Sequence, residues 1–339
     1  MPPKSTRQST DSTTAPLTIR EVAKRAGVST ATVSRVLSGQ LVVSEELTER
    51  VHAAVRELNY QPNRTTRRHR KAPNKIIGLV AANIHSPFIA GLIDGITSVL
   101  EPADCTLIIC DSADDPRREL VHLDTLRFEG VGGIILVTTN SDEEELHTFV
   151  PMAPPLVAVD RKLSRAAVDT VTVDYAATAA KAVEGLIAAG RKRLALLDAP
   201  ARTSAVRERR AGYSSALAAA GIKVSEELVH AVEDGSAVET AQKLLALDPP
   251  PDAILAGSAR FALDTLRVLH ERGLRAPHNV TVLSFETLGP NLSDLLPVQV
   301  VAPDAFELGA TAARMLLERG KHRRMAAREV LLESRVFAD

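Results

Sequence analysis

The side chains with the most evident chemistry in this chain are basic, and they gather at one end. Residues 1–75 hold 14 Lys and Arg against 6 Asp and Glu, a net of +8, while the other 264 residues hold 27 against 36, a net of −9. A small basic head on a large acidic body is the charge layout of a head that meets a polyanion such as DNA and a body that does not. A basic tail with no partner carries the same charge. Covalent and metal chemistry leave no comparable trace. Gly130-Val131-Gly132-Gly133 precedes its apolar run, whereas a dinucleotide fingerprint follows a strand and opens a helix. There is no GxxxxGK[ST], GxSxG or HExxH. The nine His are scattered, and no Cys/His spacing fits a metal site. The sequence therefore predicts no enzyme, no cofactor and no metal.

The elements that position these side chains follow from length and pattern. A chain of 339 residues implies two or three domains. With no Trp and only 3% aromatics, the cores must be built from Ala, Val, Leu and Ile. No apolar run approaches the ~18 residues of a membrane span, and the first sixteen residues read as a polar tail without the apolar stretch of a signal peptide. A cytoplasmic, nucleoid-associated protein is expected. Cys105 and Cys110 lie five apart in an apolar run, on opposite faces of a strand, so they are expected to be two unpaired, buried thiols.

In the head, taken as 17–60, Thr18-Ile19-Arg20-Glu21 is a capping box that opens a helix over about 18–26. Gly27 supplies the left-handed position that ends it, and Ser29 caps a second helix with Val33, Val36 and Leu37 on its buried side. A third helix, about 44–59, buries Leu47, Val51, Ala54, Val55 and Leu58. Two short helices joined by a three-residue turn containing Gly form a helix-turn-helix.

The run TIREVAKRAGVSTATVSRVLSG, followed by VSEELTERVHAAVRELNYQPNR, resembles the head of the lactose-repressor (LacI/GalR) family nearly position for position. The resemblance implies a transcriptional regulator, most simply a repressor, whose second helix enters the major groove of DNA. Thr30 and Ala31 then open the recognition helix. Arg35 on the same face has the reach for bidentate bonding to guanine. Thr18, Ser29, Thr32 and Ser34 are short hydroxyls suited to phosphate oxygens. Asn59, Tyr60 and Asn63 resemble further backbone contacts of the family.

Residues 61–75 are dense in Arg and nearly free of apolar side chains, so they form a linker that cannot bury a core alone. In the family this stretch forms a hinge helix that drives a Leu into the minor groove. Here the wedge position is held by His69 and the small residue before it by Thr66, a departure from the pattern. Arg67, Arg68 and Arg70 either enter a narrowed minor groove or only neutralise phosphates. Weaker DNA bending and a steeper salt dependence than a Leu-bearing relative follow. An undiminished kink in a gel-shift bend assay contradicts that expectation.

From Ile76 onward apolar runs alternate with Ala- and Leu-rich amphipathic segments. The runs are 76–81, 106–110, 133–137, 156–160, 171–173, 194–198, 253–256 and 280–285; the helical segments include 175–190, 205–220, 237–247, 259–272 and 304–319. Such alternation implies parallel sheets covered on both faces. The resemblance divides this body (76–339) into two α/β lobes like the periplasmic sugar-binding proteins, with a small-molecule effector in the cleft between them. Carried over position by position, it places Ser86 and Phe88 after the first strand, Asp160-Arg161 at a strand end, Arg207 and Arg209 at the start of a helix, and Ser258 and Glu286 beyond later strands. Glu286 stands where the family usually has Asp. Ser258-Ala259 replaces Asn-Asp, Val301-Ala302 replaces Arg-Gln, and Tyr175 replaces Asn, so groups that would bond a polyol are altered. Either the effector is smaller or less polar than a hexose, or the response to any effector is weak. One recognition helix contacts few bases, so a homodimer on a palindrome is expected, and no terminal heptad run supports a tetramer.

Overall fold

The computed structural model describes residues 18–37, 44–58, 74–142, 144–233, 236–289, 292, 294–322 and 325–337. The chain divides into two compact units, Met1–Ala72 and Pro73–Asp339.

In the first unit, α1 (Ile19–Ala26), α2 (Thr30–Leu37) and α3 (Glu45–Glu57) follow the capping signals closely. The Glu21 carboxylate reaches back to the Thr18 amide at 2.5 Å and to its hydroxyl at 3.1 Å. Gly27 ends α1 at φ 66°, a left-handed conformation that a Cβ would strain. The Arg50 guanidinium closes that end, donating to the Ala26 carbonyl at 2.8 Å. Val22, Ala23, Ala26, Val33, Val36, Val51 and Ala54 form the buried core, with Ile19, Val28, Val55 and Leu58 packed around it. Leu47, expected inside, is only half-buried.

Among the described residues, the second unit holds two six-stranded sheets. The first has the order β11-β5-β4-β3-β1-β2, built from β1 (Ile76–Ala81), β2 (Thr106–Asp111), β3 (Gly133–Leu136), β4 (Leu156–Val159), β5 (Asp169–Val173) and β11 (Glu329–Leu332). The second has the order β12-β10-β9-β8-β6-β7, from β6 (Leu194–Asp198), β7 (Val229–Ala231), β8 (Ala253–Ala256), β9 (Thr281–Ser284), β10 (Val298–Pro303) and β12 (Ser334–Phe337). Every pairing is parallel except β10 with β12. The inner strands β3, β4, β5, β6, β8 and β9 are buried along their whole length, as sheets covered on both faces require.

The helices α4 (Pro87–Leu100), α5 (Pro116–Glu129) and α6 (Glu144–Phe149) connect strands of the first lobe. In the second lobe α8 (Ser204–Ala219), α9 (Val238–Leu244) and α10 (Ala259–Glu271) do so. The chain crosses between lobes through α7 (Tyr175–Ala188), then back after β10 through α11 (Ala305–Lys321), and again from β11 to β12. Leu308, Ala312, Ala313 and Leu316 of α11 fill the first lobe's core beside Leu92 and Ile96 of α4. Against expectation, Cys105 and Cys110 are only half-buried, though unpaired: Cys110 lies on β2, the outer strand of its sheet, and Cys105 just before that strand begins.

Candidate functional site

In the first unit the candidate surface is the start of α2. Ser29, Thr30, Ala31 and Arg35 are exposed, Thr32 and Ser34 partly so, and Val33 and Val36 face the core. One helix face is therefore committed to the fold and the other is presented. The Ser29 hydroxyl accepts from the Thr32 amide at 3.0 Å and pairs with the Thr32 hydroxyl at 2.9 Å, so both side chains are held in place at the helix start. Thr18 is exposed at the start of α1. Asn59, Tyr60, Asn63, Arg67, Arg68 and His69 lie outside the described residues.

In the second unit a cleft of about 700 Å³ lies where the carboxyl ends of strands from both sheets face each other, the place where open α/β sheets hold ligands. Ser86, Phe88, Asp160, Arg161, Arg209, Ser258 and Glu286 all line it. Ser86 caps α4, accepting from the Phe88 amide at 3.1 Å, and donates to Glu286 Oε1 at 2.8 Å. Ser258 caps α10 through the Phe261 amide at 3.3 Å. Glu286 Oε2 accepts from the Ala259 amide at 3.1 Å. Burial pushes the Glu286 carboxyl above its usual range.

Asp160 follows β4 with φ 69° and accepts a short hydrogen bond from the Tyr175 hydroxyl. Burial, and then the Asp160 charge, hold the Tyr175 phenol well above its ordinary value. Arg161 lies 3.4 Å from the Asp160 carboxylate and donates to the Thr138 carbonyl at 2.8 Å. Burial opposes the charge on Arg209, but the Asp198 carboxylate outweighs it and keeps the guanidinium protonated.

Arg207 departs from the sequence expectation. It does not line the cleft but bonds Asp142 at 2.8 Å and Ser164 at 3.3 Å. The reason is helical geometry: two residues apart on α8, Arg207 and Arg209 point in different directions, and Arg209 is the one turned inward. The cleft residues that the sequence reading leaves out include Asp198, Thr139 and Thr203. Asp198 was legible as the polar end of the run LALLD. Thr139 and Thr203 carried no signal; the Thr203 hydroxyl is buried against the cleft without a hydrogen-bond partner among the described residues. None of the described helices is long and apolar enough to cross a membrane, and no cluster of three His, Cys, Asp or Glu able to hold a metal occurs among the described residues.

Residues 74–338 match the family model described as periplasmic binding proteins and sugar binding domain of LacI family, and residues 18–63 match that of bacterial regulatory proteins, lacI family. The chain is 32% identical over 279 residues to the HTH-type transcriptional regulator AscG of Escherichia coli, covering 80% of this chain and 82% of that one. It is 28% identical over 321 residues to the ribose operon repressor of Haemophilus influenzae, covering 93% and 96%. Among solved structures, the transcriptional regulator CelR in complex with cellobiose superposes with a TM-score of 0.69 at 28% identity, over 95% of this chain and 98% of that one.

Proposed function

Because the chain belongs to the LacI family of bacterial regulatory proteins, we propose that this DNA-binding regulator represses transcription as a homodimer on a palindromic operator. A small molecule, a sugar or related metabolite, held in the cleft modulates it. The observation that carries the reading is the pairing, in one chain, of an exposed α2 face with a two-lobed cleft lined by charged and hydroxyl side chains. In this reading Arg35 bonds a guanine edge, Thr30 and Ala31 touch neighbouring bases, and Thr18, Ser29, Thr32 and Ser34 bond phosphates. Asn59, Tyr60, Asn63 and the basic run with Arg67, Arg68 and His69 supply further contacts to the backbone and groove. The effector favours one lobe arrangement and shifts operator affinity by linkage.

A second reading is a constitutive repressor of the same fold that no longer responds to an effector. It is favoured by one observation: Arg209, the side chain expected to grip a ligand, is bonded to Asp198. Operator binding measured with and without sugars, nucleosides and small acids separates the two. A compound that changes affinity reproducibly supports the first; a flat response across the panel supports the second.

A further inference from the structure

We propose that Glu286 is a built-in occupant of the cleft: its carboxylate ties the two lobes together, and a small molecule enters by taking the place of Ser86 on it. The proposal rests on reading the cleft as the effector site. Ser86 belongs to the first lobe, between β1 and α4, and Glu286 follows β9 in the second. The Ser86 hydroxyl accepts from the Phe88 amide at 3.1 Å, which orients its proton outward, and that proton goes to Glu286 Oε1 at 2.8 Å. Glu286 is anchored in its own lobe by the other oxygen, which accepts from the Ala259 amide at the first residue of α10 at 3.1 Å. One carboxylate thus joins two helix starts on opposite walls.

Side-chain length decides whether this bridge exists. An Asp on the same backbone falls one methylene, ~1.5 Å, short, and cannot hold both partners at these distances. Other bonds also cross between the lobes, including the Ser204 amide to Ser141 Oγ at 3.1 Å and Arg207 to Asp142 at 2.8 Å. Ser86 and Glu286, unlike those partners, both line the cleft, so a ligand can meet this bond directly. A ligand hydroxyl or N–H in the place of the Ser86 hydroxyl keeps the carboxylate satisfied. A ligand without a donor there strands it, and the cost of an unmet buried acceptor excludes such a ligand.

The test is hydrogen exchange followed by mass spectrometry on the full chain without any ligand. Glu286→Asp is expected to speed exchange about tenfold in residues 83–92, across the cleft from the substitution, the factor that corresponds to losing one charge-assisted hydrogen bond. Ser86→Ala is expected to speed exchange in residues 256–262 of the other lobe, and it decides the matter should Glu286→Asp fail to fold. Wild-type exchange in the opposite lobe of a folded variant overturns the proposal. Because no ligand takes part, this result is separate from the effector reading. That reading fails if no sugar, nucleoside or small acid changes wild-type exchange anywhere in the cleft.

Discussion

Arg209 and Asp198 are joined side by side in the wall of the cleft. The guanidinium Nε and Nη2 donate to the two carboxylate oxygens at 2.9 and 2.8 Å, while the rings of Tyr175 and Phe285 lie 5.5 and 5.9 Å from its carbon. Both partners are less than a tenth exposed. A bidentate pair in so dry a place is an internal structural element first, and a ligand contact only through whatever edge of the guanidinium it leaves to the cleft.

Removing one member of this pair strands the other. Arg209→Ala is expected to destabilise the second unit by about 3–5 kcal/mol, the cost of an uncompensated buried charge, read in urea unfolding. Replacing both partners together (Arg209→Met with Asp198→Leu) should cost much less than the two single changes summed. Equal additivity would contradict the pairing.

Gly257 is tested by the same assay. A Cβ at that position would lie 2.1 Å from Asp198 Oδ1, so Gly257→Ala must push the carboxylate off its guanidinium. The expected loss is about 1–3 kcal/mol from overpacking alone. An unchanged urea midpoint would show that the carboxylate can move without cost.

Glu119 supplies a pH dependence. Its carboxyl is buried on α5, accepts from Thr138 Oγ1 at 2.8 Å and the Thr139 amide at 2.6 Å, and is raised by burial from 4.5 to about 7. Between those values the folded chain holds a proton that the unfolded chain has released, so stability falls as pH rises through this window and levels off above 7. The span implies about 3 kcal/mol. Glu119→Gln should therefore gain on the wild type as pH rises from 5 to 8 in urea unfolding. A difference that stays constant across that range contradicts the assignment.

In the head, Gly27→Ala forces a Cβ into a left-handed position 2.7 Å from Arg50 Nη2. The expected cost is about 1–2 kcal/mol, seen as an earlier melt of the first unit and weaker DNA binding. Gly27→Asn, which tolerates that conformation, should recover part of the loss.

Much of the fold was legible because burial on both sheet faces leaves uninterrupted apolar runs. The runs 76–81, 194–198 and 253–256 coincide with β1, β6 and β8, and the cap of α1 lies where Thr18 and Glu21 place it. What escaped was short or edge-placed. β7 has three residues, and β11 and β12 are four-residue strands that join different sheets at the end of the chain. Nothing local in EVLL or SRVF says which sheet each will extend. The cleft was legible only through family resemblance, which supplied Asp160 and Glu286. It was not legible at Thr139 and Thr203, whose hydroxyls matter only because two distant strands bring them to one cavity. Family resemblance could place Arg207 and Arg209 together but could not say that one turns inward and the other bonds Asp142.

The central claim, that the exposed face of α2 reads DNA, is tested most directly by selecting bound sequences from a random duplex pool with the full-length protein and with Arg35→Ala. The wild type is expected to enrich a palindrome containing a conserved G·C pair in each half. Arg35→Ala should relax that position and lose about 1–3 kcal/mol of affinity. A pool that stays random with the wild type, or an identical motif and affinity from both proteins, would contradict it.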